Sequence, residues 1–316
     1  MGNWSERVRL GSWPTPLEPA PRLAERIGLR PDDLWFKRDD LTGLGGGGNK
    51  VRKLEHTVGA ALAAGADTLV TLGAAQSNHA RVTAAASARL GLRCALVLAG
   101  ESPHAPAGNL ILDRLLGAEL HWAGDRPDEY AAELVERLRT GGRVPYLVPF
   151  GGSGPIGARG YLDCAAELAE QVPELDHLVV AVGSGGTMAG LVAGLGAARV
   201  LGVETGAVND AVDRVAEMVG ALGGSAEGLR LRADQIGPGY GVLTDAAMSA
   251  LTDAAGYAGV VLDPVYTAKA FAGLTAAVAD GEIRPGQRTV FLHSGGLPGL
   301  FGHDQLRRTV SEGNWR

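Results

Sequence analysis

The chain has 316 residues, 46% apolar and 20% charged, so it is too long for one simple core, suits two lobes and is not disordered. A formal net charge of −6, few aromatics and no basic stripe argue against a nucleic-acid or membrane-surface partner. The two cysteines, Cys94 and Cys164, have no CxxC partners; no metal is expected, and a reducing, cytoplasmic setting is.

The start, Met1-Gly2-Asn3-Trp4-Ser5-Glu6, has no basic stretch followed by an apolar one, and Glu6 breaks the myristoylation pattern. Residues 34–37 read as a strand, followed by a glycine run and a helix over 50–64. Strands are predicted at 68–72, 93–98, 119–122 and 145–148, with helices over 78–90, 109–116 and 127–140 between them. Residues 149–155 read as a hinge or loop. Further strands are predicted at 178–182, 198–203, 259–262 and 289–293, with a soft region at 210–235. Short apolar runs divided by helical patterns predict βαβ units on largely parallel sheets, which bind ligands at the carboxyl ends of their strands.

Residues 178–198 carry no charge and place Gly186, Gly190 and Gly194 at GxxxG spacing, which would also suit a membrane span. The polar break Gly183-Ser184-Gly185-Gly186-Thr187 favours a buried strand, a loop and a tightly packed helix instead.

Gly45-Gly46-Gly47-Gly48-Asn49 delivers Lys50 to the head of a helix. Glycines let a backbone approach a bulky ligand closely, and a lysine desolvated there becomes nucleophilic. Such an amine forms a Schiff base with a carbonyl, pyridoxal phosphate being the commonest partner. A Walker A loop fails, because Asn49 and Val51 flank the lysine. A dinucleotide fingerprint fails at Met188, although Gly183, Gly185 and Glu204 are roughly placed for one.

Gly183–Thr187 still suits an anion: backbone N–H groups, a helix N-terminus and the Ser184 and Thr187 hydroxyls. The plain alternative is a turn with a helix cap. Gln76-Ser77-Asn78-His79 opens another helix, where Ser77 or Asn78 either caps it or faces a substrate carboxylate and a cofactor ring oxygen. Tyr240, in Gly237-Pro238-Gly239-Tyr240-Gly241, and Tyr266, in Asp263-Pro264-Val265-Tyr266-Thr267, sit beside turns where loops meet a pocket. His293-Ser294-Gly295-Gly296 forms a further ligand-facing turn at the last strand.

Together with Gly47–Glu55 and Gly151-Gly152-Ser153, these motifs resemble the D-cysteine desulfhydrase and 1-aminocyclopropane-1-carboxylate deaminase family, in family order over nearly the whole chain. The resemblance implies a two-domain α/β fold type II pyridoxal-phosphate enzyme, similar to tryptophan synthase β, each domain a largely parallel sheet flanked by helices. It implies a large cofactor-binding domain, 1–55 with 157–316, and a small domain, 56–156. Lys50 resembles the Schiff-base lysine, Asn78 the partner of the ring hydroxyl, and Ser77 the residue facing the substrate carboxylate, with His79 beside it. Residues Gly183, Ser184, Gly185, Gly186 and Thr187 resemble the phosphate cradle, Lys53 adding charge. Tyr240 and Tyr266 resemble the paired active-site tyrosines, and Thr267 the partner of the pyridine nitrogen.

Thr267 and His79 are similar to the desulfhydrase branch; the deaminases resemble a pattern with Glu at position 267. A carboxylate there would keep the pyridine protonated, whereas a hydroxyl leaves it largely neutral, which suffices for β-elimination. Gly45, Gly46, Ala75 and Arg159 depart from the family pattern, and Arg159 at the pocket would suit an anionic leaving group such as the sulfonate of cysteate. The resemblance implies α,β-elimination from a small amino acid, D-cysteine foremost, in a cytoplasmic homodimer. Cyclopropane deamination, cysteate sulfo-lysis, β-replacement and a module that merely holds pyridoxal phosphate are the alternatives.

Overall fold

The apolar runs pair into two sheets. The computed structural model describes residues 7–312; the start, Met1–Glu6, read above for targeting signals, lies outside them. Among the described residues the strands are β1 (Leu17–Pro19), β2 (Leu34–Lys37), β3 (Thr68–Gly73), β4 (Arg93–Leu98), β5 (Glu119–Trp122), β6 (Pro145–Leu147), β7 (His177–Val182), β8 (Val200–Glu204), β9 (Arg230–Arg232) and β10 (Thr289–Leu292). One sheet is ordered β1-β2-β10-β7-β8-β9 and the other β5-β4-β3-β6. Every pairing is parallel except β1 with β2. β3 and β7 are buried along their whole length, as central strands covered on both faces must be.

The helices are α1 (Pro21–Arg26), α2 (Lys50–Ala63), α3 (Asn78–Leu90), α4 (Asn109–Leu115), α5 (Pro127–Thr140), α6 (Pro155–Gln171), α7 (Gly186–Leu195), α8 (Ala211–Ala221), α9 (Asp245–Asp253), α10 (Thr267–Ala279), α11 (Leu297–Phe301) and α12 (Asp304–Ser311). In the larger sheet Phe36 and Phe291 are opposed in register, and Phe271 of α10 closes the cluster. The Phe271 and Phe291 rings meet edge to face at 5.2 Å. Around the smaller sheet, α2 and α3 bury Val51, Leu54, Val58 and Val82 against Leu69 and Val148.

The GxxxG glycines serve helix packing. A Cβ on Gly190 would lie 2.2 Å from the Ala158 carbonyl oxygen of α6, and one on Gly194 2.4 Å from Ala165 Cβ. The two helices touch backbone to backbone, so the uncharged stretch is a buried strand and helix. Among the described residues no helix is long and apolar enough to cross a membrane.

Two segments differ from expectation. Residues 259–262 form no strand. Val260 and Leu262 are buried in the core of the larger sheet, but no strand edge adjoins them, and the Val261 carbonyl pairs with His293 Nε2 at 3.1 Å. The region 210–235 is not soft: it holds α8 and β9. β9 escapes sequence detection because its arginines make it polar; Arg230 and Arg232 both pair with Glu282.

A buried charge cluster underlies α2. Arg52 grips both carboxylate oxygens of Asp39, at 2.8 and 2.9 Å, and reaches Glu167 at 2.8 Å, while Lys37 meets Glu167 from the other side at 2.8 Å. A second buried carboxylate is poorly served. Asp113 of α4 is fully buried and neither oxygen has a hydrogen-bond partner. Burial pushes its pKa up to about 7, against the pull of Arg81. An acid whose folded pKa is raised stabilises the fold below its ordinary pKa, and that contribution is lost as pH rises through about 7. Asp113→Asn is expected to stabilise the protein by roughly 1–3 kcal/mol at pH 8 and to flatten stability between pH 4 and 8. Urea melts across that range check it; a variant less stable at pH 8 than the parent refutes it.

Candidate active site

A cleft opens where the carboxyl ends of both sheets face each other. β3 delivers Ser77, Asn78 and His79 to it, β6 leads to Phe150 and Gly151, β7 to the 183–187 loop, and β10 to Ser294 and Gly295; α2 supplies Asn49, Lys50 and Lys53. Tyr240 and Tyr266 complete the wall. Asp263 and Asp304 line an adjoining recess that shares Asn78, Tyr240 and Tyr266 with this cleft.

Lys50 opens α2 and donates from Nζ to the Gly151 carbonyl at 3.1 Å. Desolvation lowers its pKa to about 8, which leaves an appreciable fraction as free amine near neutrality. Lys53, one turn on, is buried and donates to Ser153 Oγ at 2.9 Å. Burial, and then the charge of Lys50, hold its pKa well below the usual lysine value.

Ser153 Oγ also meets Ser184 Oγ at 2.7 Å and accepts from the Gly186 N–H at 3.2 Å. Gly185 enters α7 with φ +88°, a left-handed turn suited to glycine, and has no side chain of its own to cap the helix. Asn49 Nδ2 donates to Thr187 Oγ1 at 3.1 Å, so the loop and the head of α2 share one hydrogen-bonded end of the cleft. A helix N-terminus, three hydroxyls and two lysines are what a phosphate dianion satisfies. The residues present therefore fit a phosphorylated aldehyde: Lys50 would take the carbonyl, and Lys53 with the 183–187 loop the phosphate.

Ser77 is the N-cap of α3, its Oγ accepting from the Ala80 N–H at 3.1 Å. It also lines the cleft, so cap and ligand roles coincide in one hydroxyl. Asn78 Oδ1 accepts from Asn109 Nδ2 at 3.0 Å, which leaves the NH2 of Asn78 to donate to an acceptor such as a ring oxygen. Thr71 Oγ1 donates to the Val148 carbonyl at 2.9 Å, so at 2.9 Å from His79 Nε2 it accepts. His79 is thus the Nε2–H tautomer, with a buried, unpartnered Nδ1. Burial, then the charges of Lys50 and Lys53, keep its pKa well below the usual histidine value. The Tyr240 and Tyr266 hydroxyls touch at 2.6 Å. Burial raises both phenol pKa values, so both are neutral near pH 7.

Residues 8–295 match the family model described as pyridoxal-phosphate dependent enzyme. The chain belongs to that family. This pyridoxal-phosphate-dependent enzyme is 40% identical over 309 residues to a Pyrococcus horikoshii protein provisionally named 1-aminocyclopropane-1-carboxylate deaminase, with 93% of each chain covered. It is 40% identical over 319 residues to a Salmonella choleraesuis protein named D-cysteine desulfhydrase, covering 94% of this chain and 96% of that one. Its fold superposes on the crystal structure of an ACC deaminase homologue with a TM-score of 0.86, 39% identity and 96% coverage of both chains. Threonine deaminase isoform 2 of Solanum lycopersicum, at 20% identity and TM-score 0.65, shares the fold. The enzyme is a fold type II pyridoxal-phosphate lyase, as its motifs imply.

Within the enzyme's cleft the structure brings together Lys50, Lys53, Ser77, Asn78, His79, Gly183, Ser184, Gly185, Thr187, Tyr240 and Tyr266. Gly186 stands behind the wall, its N–H turned to Ser153. Thr267 does not line the cleft. It is fully buried, and its hydroxyl is committed to Asp263: Oγ1 donates to Oδ1 at 2.7 Å and accepts from the Asp263 N–H at 2.7 Å. Asp263 in turn accepts from the N–H groups of Val265, Tyr266 and Thr267. In this structure Thr267 fixes the start of α10 through Asp263. Ser294 lines the cleft at the end of β10.

Other readings also change. The glycines of 45–48 do not line the cleft. A Cβ on Gly46 would lie 2.8 Å from Arg81 Nη1, and one on Gly47 2.0 Å from the Asp40 carbonyl. The run threads between Arg81 and the 39–42 turn and places Lys50 from behind. Arg159 lies on α6 and is not part of the cleft wall, so it selects no leaving group there. The 149–155 segment is more than a hinge, since Ser153 joins the phosphate end. Asn49 and Ser153 were missed; their signal was adjacency to Lys50 and to a Gly-Gly turn after a strand.

Proposed function

We propose that the enzyme catalyses α,β-elimination from a small amino acid, D-cysteine foremost, giving pyruvate, ammonia and hydrogen sulfide. The observation that carries this reading is the cleft wall itself: two lysines at the cofactor end and two neutral phenols in contact. A hydroxyl such as that of Thr267 or Ser294, rather than a carboxylate, at the ring nitrogen would leave the pyridine largely neutral, which would suit loss of a good leaving group better than opening of a strained ring.

Pyridoxal phosphate, when bound, supplies the aldehyde that takes the substrate amine and the ring that withdraws electrons from the α-carbon. The N-terminus of α3, with the Ser77 hydroxyl, holds the substrate carboxylate. His79 stays neutral, so this charge falls to the helix end. Lys50 Nζ, released by the substrate amine, takes the α-proton, its lowered pKa of about 8 matching that task. As the Cβ–S bond breaks, the Tyr240–Tyr266 pair delivers a proton to the departing sulfur. Pyruvate and ammonia follow when water hydrolyses the remaining enamine.

The enzyme is assigned a cofactor-binding domain of residues 1–55 and 157–316, a small domain of 56–156, a homodimeric state and a cytoplasmic location. Cyclopropane deamination is the second reading, favoured by the name of the Pyrococcus horikoshii relative. D- and L-cysteine, β-chloroalanine, cysteate, serine and 1-aminocyclopropane-1-carboxylate, assayed for pyruvate and 2-oxobutyrate, decide between them. Pyruvate from D-cysteine or β-chloroalanine is expected. A dominant 2-oxobutyrate signal selects the deaminase, and silence on all six withdraws the elimination reading.

Ser77→Gly separates the two duties of that residue. Glycine caps nearly as well as serine, so stability is expected to change by only a few tenths of a kcal/mol. Turnover falls because the hydroxyl is gone. Unchanged kinetics would make Ser77 a cap alone.

A further inference from the structure

Tyr240 lies on a loop that has little stiffness of its own. Gly237, Gly239 and Gly241 all take positive φ, at +67°, +157° and +76°, and Tyr240 itself is 41% exposed. Glycine-rich backbone of this kind samples many conformations unless something outside it holds it. A hydroxyl-to-hydroxyl contact of 2.6 Å with Tyr266 needs the loop fixed to within a few tenths of an ångström.

The fixing group is Lys269. It lies one turn beyond Tyr266 on α10 and is fully buried. Its ammonium donates to the Ile236 carbonyl at 2.7 Å and the Gly239 carbonyl at 3.0 Å, with the Thr205 carbonyl at 3.5 Å. No carboxylate pairs with it among the described residues, so three carbonyl dipoles hold the buried cation. Burying an ammonium without a counterion is costly unless all its protons are used. A core-facing methionine would fill the same space without that cost. On the other flank of Tyr240, His303 Nε2 meets the Gly241 carbonyl at 2.8 Å.

We propose that Lys269 is a positioning residue: its ammonium clamps the 236–239 backbone to α10, so that the Tyr240 hydroxyl stays against that of Tyr266. One helix then carries both Tyr266 and the group that sets its partner. The inference rests on the role proposed for the tyrosine pair, and it extends that role to a residue outside the cleft wall.

The test uses the holoenzyme. Lys269→Met is expected to keep the cofactor on Lys50, with unchanged visible absorption. Its kcat for D-cysteine or β-chloroalanine should fall roughly ten- to hundredfold, the scale of a misplaced group, with a smaller change in KM. In a Tyr240→Phe background the same substitution should cost little more, because Lys269 acts through that hydroxyl. Backbone hydrogen exchange should rise in 236–241 and stay unchanged in α7. Lys269→Gln, which keeps two donors, should fall between parent and Met variant and serves if the Met variant does not fold. Parental kcat in both variants, full additivity with Tyr240→Phe, or unchanged exchange in 236–241 would each overturn the proposal. If the parent is silent on every substrate, the elimination reading fails, and exchange in 236–241 still judges the clamp.

Discussion

Lys50→Ala is expected to leave a folded protein that has lost turnover by at least about 10³-fold, the combined scale of a missing nucleophile and general base. The residue is singled out by two independent features. Its amine lies in the cleft with a pKa lowered to about 8 by desolvation, and it donates to the Gly151 carbonyl, a weak hold that a carbonyl carbon readily replaces. Lys53 is the internal control. It shares the cleft, but its Nζ is tied to Ser153 at the head of α7, the end proposed for the phosphate. Borohydride reduction of the parent should therefore fix the cofactor to Lys50 and bleach its visible band. The alanine variant should show neither the adduct nor the band. Because the substitution also removes one of two neighbouring buried amines, the melting temperature should not fall. Recovery of the adduct on Lys53 would reverse the two assignments.

Arg52→Leu is expected to cost about 3–5 kcal/mol of stability, the usual penalty for stripping the partner from a buried charge. The leucine leaves Asp39 fully buried, with Thr15 and Tyr161 as its remaining donors. Burial alone would raise the Asp39 pKa, but the charge and hydrogen bonds of Arg52 overcome it and hold the carboxylate below its usual value. The parent pair therefore stabilises the fold above the ordinary carboxylate range, and the contribution is lost as pH falls through the lowered folded pKa. In the variant the Asp39 pKa should rise, moving the acid limb of the stability curve to higher pH. Urea melts between pH 3 and 8 measure both effects. A variant within about 1 kcal/mol of the parent at pH 7 would mean that Asp39 finds another partner or is protonated there.

The alternation of strands and helices from β2 to β6, and the strand and helix β7 and α7, were legible because the apolar runs are short and some helix starts are marked. Ser77 announces α3, and Gly183-Ser184-Gly185 announces α7. In contrast, α1, α6 and the helices beyond α7 were not read from the sequence. Local chemistry also marked most of the cleft, since the loops after parallel strands converge on one side of a sheet. What failed depended on distant partners. The alternation of Val260 and Leu262 is strand-like, yet a strand needs a neighbouring edge, and none adjoins it. The purpose of the glycine run was misjudged for the same reason: the group it must avoid, Arg81, lies far along the chain.

Lys50 and Lys53 stand on one rigid helix, and that makes α2 a ruler. Three residues apart, their Cβ atoms are separated by roughly 5–6 Å on adjacent turns, whatever the surrounding loops do. The span between the reactive amine and the phosphate countercharge is therefore written into helical pitch. An inserted residue between them would swing Lys53 about 100° around the axis, away from α7. Tolerance to length changes should accordingly be lowest between Lys50 and Lys53, and any aldehyde whose anionic group sits at a different reach will be measured and refused.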